Sequence, residues 1–121
     1  MSGEADIDEG TIRKLRDLGG DAFAAEMIEL FFGYVPKKIE EAKAGWGEGN
    51  LRAVEQAVHP VKSSAGNVGA VVVRDLAARI EKLSREGETG ALPDLLRDLE
   101  AAFASARALL DERRKELGRP G

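Results

Sequence analysis

The chain has 121 residues, no cysteine and a single histidine, with 43% hydrophobic and 33% charged side chains and a formal net charge of −4. Such a chain has room for one domain over 1–121, and with only four Phe, one Tyr and one Trp its core must be built from Leu, Val, Ile and Ala. The missing cysteine excludes a disulfide scaffold, a thiol nucleophile and cysteine-ligated metal sites, and one histidine excludes the common multi-histidine metal constellations.

Apolar residues recur at helical spacing along nearly the whole chain. Ile12, Leu15 and Leu18 predict a short first helix, with Asp8 or Thr11 as its cap and Gly19-Gly20 as its stop. A second helix starts at Asp21 and runs through Phe23, Met27, Leu30 and Phe31 toward Val35. Pro36 then either kinks it or divides it before Ile39 and Ala42, and Gly45 to Gly49 read as a turn. Asn50 caps a third helix whose stripe is Leu51, Val54, Val58, Val61, Ala65 and Val68, with Gly66-Asn67 and Gly69 marking its end. A fourth runs from Ala70 to Arg85 with Val73, Leu76, Ala77, Ile80 and Leu83 facing inward, although Val71-Val72-Val73 leaves its opening either helical or in the turn. After a loop at Gly87 to Gly90, Pro93 suits the first turn of a long last helix. Its seam is Leu92, Leu96, Leu99, Phe103, Ala106, Leu110 and Leu117, and Gly118 to Gly121 end it.

These elements predict an all-α fold: an up-and-down antiparallel four-helix bundle with an additional short N-terminal helix packed across it. A dimer paired through the heptad-like seam of the last helix is the alternative architecture. Met1 to Glu9 is acidic and lacks the pattern of a signal peptide, and no apolar run approaches membrane-spanning length, so the expectation is a cytoplasmic protein without membrane partners. Basic residues gather only at Arg113, Arg114, Lys115 and Arg119, where they complement a helix dipole, so nucleic acid is not expected as a partner.

The third helix carries the chemistry. At about 100° per residue, His59 lies roughly 140° from the centre of the apolar stripe and must face water. Lys62 and Ser63, three and four positions on, neighbour it on the outer surface, Gln56 lies one turn before it, and Gly66 two turns beyond. An exposed imidazole is in good part neutral and nucleophilic near neutral pH. A phosphoryl group on it could be held by the Lys62 ammonium and the Ser63 hydroxyl, and the small residues Ser63, Ser64, Ala65 and Gly66 would leave room for another protein's active site. Taken alone, a surface histidine beside a lysine is common and often silent. The chain shows no Gly-rich nucleotide loop, no carboxylate cluster for magnesium and no evident acid to orient the histidine, so an ATP site or a stand-alone enzyme is not expected.

The stretch Ala57-Val58-His59-Pro60-Val61-Lys62-Ser63-Ser64-Ala65-Gly66-Asn67-Val68-Gly69-Ala70 resembles the signature of histidine-containing phosphotransfer (HPt) domains, A-H-x-L-K-G-S-[SA]-x-x-[LIV]-G-A. The similarity extends from about Ala22 to Leu110, with Leu30-Phe31, Pro36 and Ile39 resembling the family's second helix and Ile80-Glu81 its Leu-Glu pair. It implies a monomeric phosphoryl carrier in a two-component phosphorelay, accepting on His59 from one receiver-domain aspartyl phosphate and giving to another receiver aspartate. Lys62 would neutralise phosphoryl oxygens, and Ser63 could donate a hydrogen bond to the phosphoryl group or the partner. Gln56, Pro60, Ser64, Gly66 and Gly69 would form or support the docking surface. The implied partners are response-regulator receiver domains and a hybrid histidine kinase, with no intrinsic cofactor and Mg2+ on the receiver.

Two positions depart from the signature. Ser63 replaces the usual glycine, which points to altered partner preference. Pro60 lacks the N–H that would bond the Gln56 carbonyl and crowds it, typically costing about 3 kcal/mol, so a kink or local distortion beside His59 is expected. These departures leave a second reading, a bundle that docks a receiver or kinase without transferring phosphate.

Overall fold

The computed structural model describes residues 7–117, which form four helices and no strand. These are α1 (Glu9–Gly47), α2 (Leu51–Asn67), α3 (Val71–Glu86) and α4 (Leu92–Leu117). Each helix packs against two neighbours, α1 on α2, α2 on α3, α3 on α4 and α4 back on α1, while the diagonal pairs are not in backbone contact. Short connections between successive neighbours give the up-and-down antiparallel order. The expected terminator at Gly118 to Gly121, and Arg119 with it, lie outside the described residues.

The short N-terminal helix exists as the first arm of α1, 9–19. Asp8 caps it, accepting from the Gly10 N–H at 3.0 Å and from Thr11 Oγ1 at 3.0 Å. At Gly20 the backbone leaves the helical region with φ 88°, which a residue without Cβ adopts at little cost, and the second arm continues over 21–47. Asp21 stands at this break, where its carboxylate accepts from Arg16 Nε at 2.9 Å. Ile7, Ile12 and Leu15 bury the arm against the bundle, and Asp8 N–H donates to the Gly69 carbonyl at 2.7 Å. Leu18, expected inward, is 79% exposed, two residues before the break at Gly20.

Pro36 does not divide α1, and the helix runs on through Gly45 and Trp46, which were expected in the turn. Gly45 is buried at the α1–α2 corner, where an added Cβ would lie 3.0 Å from Ala53 Cβ and 3.2 Å from the Val54 nitrogen. Its glycine character therefore serves close packing and not a bend. The buried line of α1 is Ala24, Ile28, Phe31, Val35, Ile39 and Ala42; the last four are as expected, while Ala24 and Ile28 take the inward places expected for Phe23 and Met27, and Leu30 yields to Phe31. Phe23 and Met27 are half-buried and Leu30 is 59% exposed, so the apolar surplus lies on the flank of the helix.

On α2, Val54, Ala57, Val58, Val61 and Ala65 are buried and Leu51 is half-buried, while Asn50 accepts from the Ala53 N–H at 3.0 Å as its cap. A kink or local distortion was expected at Pro60; the helix runs through it as one element from Leu51 to Asn67. A proline ring at half-buried position 60 still leaves the Gln56 carbonyl without its usual donor, and the surrounding packing holds the helix together despite that loss. Val71 to Val73 are helical, and α3 buries Val73, Ala77 and Ile80 before ending at Gly87 with φ 75°. Leu76 and Leu83 are half-buried. On α4 the seam is buried from Leu92 to Leu110, and Leu117 is half-buried. Ile28, Ile80, Leu92, Leu99 and Leu110 are the large fully buried anchors, each worth about 2–5 kcal/mol if cut to alanine.

Candidate functional site

The pairing of α2 with α3 builds the site. Val54, Val58, Val61 and Ala65 turn into the core, so His59 is carried outward and its side chain is 65% exposed. The continuous helix keeps Lys62 one turn beyond it on the same side. On α3, the inward line of Val73, Ala77, Ile80 and Ser84 also buries Glu81, whose residue is only 4% exposed. Because α3 lies directly against α2, the Glu81 carboxylate reaches both outward-facing side chains. His59 Nδ1 is hydrogen-bonded to Glu81 Oε2, and Lys62 Nζ lies 2.5 Å from Glu81 Oε1. Arg85 Nη2 stands 3.3 Å from the same Oε2, while its Nε donates to Glu55 Oε2 at 3.1 Å.

Burial pushes the Glu81 carboxyl up, but hydrogen bonds from Lys62 and His59, together with their charges, outweigh it and hold the group below its ordinary value of 4.5. Glu81 is therefore an ionised acceptor near neutral pH. An ionised carboxylate only accepts, so the ring proton of His59 must sit on Nδ1. The lone pair then lies on Nε2, which has no hydrogen-bond partner among the described residues. The sequence offered no evident orienting acid for His59; Glu81 supplies one. The signal lay in a glutamate falling beside the inward line of Val73, Ala77 and Ile80, which only the neighbouring helix could turn into a contact.

The other expected site residues separate by environment. Gln56 is exposed in a polar groove between α2 and α3 with Arg52, Glu55, Ser84 and Arg85. Ser63 is exposed on the His59 side and Pro60 is half-buried. Ser64 is half-buried and lines an apolar groove between α1 and α2 with Met27, Leu30, Phe31, Tyr34 and Val68. Gly66 is half-buried, and an added Cβ would meet only Arg74 Cδ at 3.7 Å, so packing does not require glycine there. Gly69 is not at the surface: it is buried with φ 77°, and a Cβ would lie 2.7 Å from the Asp8 carbonyl oxygen. Its place is structural, beneath the N-terminal arm, and not in a docking face. No helix among the described residues is long and apolar enough to cross a membrane.

An antiparallel helical bundle that offers one histidine to solvent, oriented from behind by a carboxylate and flanked by a lysine, defines a class of small histidine-presenting modules. The family model for the Hpt domain matches residues 26–112, and the chain belongs to that family, the histidine-containing phosphotransfer domains. The crystal structure of histidine-containing phosphotransfer protein B (HptB) from Pseudomonas aeruginosa PAO1 has the same helical bundle, with a TM-score of 0.86 and 22% identity over 92% of this chain and 96% of that one. At this identity the likeness speaks to the fold. No curated protein matches the chain in sequence.

Proposed function

We propose that the chain is a phosphorelay carrier in which His59 accepts a phosphoryl group from the aspartyl phosphate of a receiver domain and passes it to the aspartate of another. The observation that carries this reading is the His59 Nδ1 to Glu81 Oε2 hydrogen bond, which leaves the Nε2 lone pair facing solvent. In the forward step that lone pair attacks phosphorus in line, the bond from phosphorus to the aspartyl oxygen breaks, and the receiver's carboxylate leaves with the electron pair. The proton on Nδ1 stays where it is, so the ring becomes an imidazolium bearing the phosphoryl group on Nε2. Glu81, held ionised, stabilises the positive charge that develops on the ring. Lys62 meets the phosphoryl oxygens, and exposed Ser63 is placed to offer a hydroxyl to them or to the partner. The return step is the reverse of the first, onto a second aspartate. Magnesium and the acceptor aspartate belong to the receiver, and the chain acts as a carrier with no ATP site of its own.

The apolar groove that begins at Ser64 and runs over Met27, Leu30 and Tyr34 supports docking of the receiver across α2 and onto the flank of α1. Incubating the protein with phosphorylated receiver domains should give an acid-labile, base-stable label on the wild type. His59→Gln (H59Q) should take up none while unfolding at the wild-type midpoint, since the position is exposed and removal of one of Glu81's donors leaves two cations in place. An unlabelled wild type that still binds receivers would instead favour the reading of a docking module without transfer.

A further inference from the structure

Three side chains converge on a carboxylate that is 6% exposed: Lys62 and His59 hydrogen-bond it, on Oε1 and Oε2, and the Arg85 guanidinium forms an ion pair with Oε2 at 3.3 Å. A buried carboxylate needs a close cation, and stripping it of its last one is strongly destabilising. Glu81 has two. The duplication is unnecessary in the resting protein, where Lys62 alone at 2.5 Å would suffice. It becomes necessary when a phosphoryl dianion arrives on Nε2. Lys62 then faces two competing anions, and if it were the sole counter-ion of Glu81 it could not leave one for the other.

The placement of the two cations fits a division of labour. Lys62 follows His59 by one turn on α2, and among the described residues Glu81 is the one carboxylate it pairs with, so nothing else holds its ammonium in place. Arg85 follows Glu81 by four residues on α3 and reaches the other carboxylate oxygen; its side chain is 59% exposed, but Glu55 accepts from its Nε at 3.1 Å and so holds the guanidinium at that place when Lys62 leaves. We propose that Arg85 is a positioning residue, the second counter-ion of Glu81, which lets Lys62 move to a phosphoryl group on His59 while the hydrogen bond from His59 to Glu81 stays in place. No covalent bond or proton moves in this exchange. The Lys62–Glu81 ion pair opens, a Lys62–phosphoryl pair forms, and the Arg85–Glu81 pair remains. The inference rests on the reading of His59 as phosphoryl acceptor.

Two measurements on the full chain test it. In thermal unfolding, K62Q and R85Q should each lower the midpoint by about 2 °C or less, and the double variant by about 10 °C, because only then is a buried carboxylate left without a cation. Adding E81Q to the double variant should recover most of that loss. In labelling by a phosphorylated receiver, R85Q should slow phosphohistidine formation about tenfold and R85K should restore most of the rate. Ring nitrogen spectra of resting R85Q should still show the proton on Nδ1, since Lys62 holds Glu81 there. Additive midpoint losses would overturn the proposal, as would an R85Q protein labelled at the wild-type rate. A wild type that no receiver labels would overturn the acceptor reading and the exchange with it, even with the midpoints behaving as expected; a labelled wild type with additive midpoints would overturn the exchange alone.

Discussion

Glu81 lies almost wholly out of water yet is held ionised, so in the proposed transfer its charge would serve both folding and chemistry through the same three neighbours. Glu81→Gln (E81Q) keeps the shape of the side chain but turns an obligate acceptor into a group that can also donate, so His59 loses the constraint that places its proton on Nδ1. Labelling by a receiver should slow about 10- to 100-fold, with the fold retained. The same residue gives the bundle an acid response. Its carboxyl is held below 4.5 in the folded state, so on acidification the unfolded chain takes up this proton first and the equilibrium moves toward unfolding. The stabilisation is full above about 4.5, the ordinary value, and is lost as pH falls through the lower folded value. Denaturant titrations at pH 7 and between pH 5 and 3, in roughly unit steps, should show wild type losing stability faster than E81Q; equal slopes would remove Glu81 as a cause. The outward position of His59 and the proximity of Lys62 were legible in the sequence because both follow from the turn of one helix. Glu81's role was not, because it depends on the stagger of α3 against α2, which no local periodicity records.

At the scale of the element, Pro60 is the informative position. A kink or local distortion was expected there, and α2 continues through it as one helix from Leu51 to Asn67. Packing of Val54, Val58, Val61 and Ala65, all fully buried, outweighs the lost backbone hydrogen bond. The cost of the proline is then still present in the folded protein. Pro60→Ala should restore a donor to the Gln56 carbonyl and raise stability by about 1–2 kcal/mol, less than the full helix penalty because proline also restricts the unfolded chain. Urea denaturation would show this as a higher midpoint at constant slope, and an unchanged or lower midpoint would mean that ring packing at the half-buried site outweighs the missing bond. Most element boundaries were readable from caps and glycines: Asp8, Asn50, Gly20 and Gly87 all act where the sequence suggested. Gly45 was misread because a glycine required for close approach and a glycine required for a turn look the same in one dimension.

For the molecule as a whole, the misplaced stripe of α1 bears on function. A single amphipathic helix does not reveal how it is rotated about its own axis, and the apolar run from Phe23 to Val35 is wider than the core needs. The bundle resolves this by burying Ala24, Ile28 and Phe31 and leaving Leu30 and Tyr34 at the surface, 59% and 39% exposed, beside the end of α2 that follows His59. Under the proposal that His59 accepts a phosphoryl group, exposed apolar side chains grouped along the same helix suit a partner that must bring its own active site to it. Leu30→Asp (L30D) separates the two roles. The side chain contributes little to the core, so the unfolding midpoint should stay within about 2 °C of wild type. Labelling by a phosphorylated receiver should slow about tenfold, as expected for loss of an apolar anchor, whereas labelling by a small donor such as phosphoramidate, which needs no docking face, should proceed at the wild-type rate. If both donors label L30D normally, the receiver does not use this groove, and the polar side of His59, lined by Arg52 and Gln56, becomes the face on which docking must be sought.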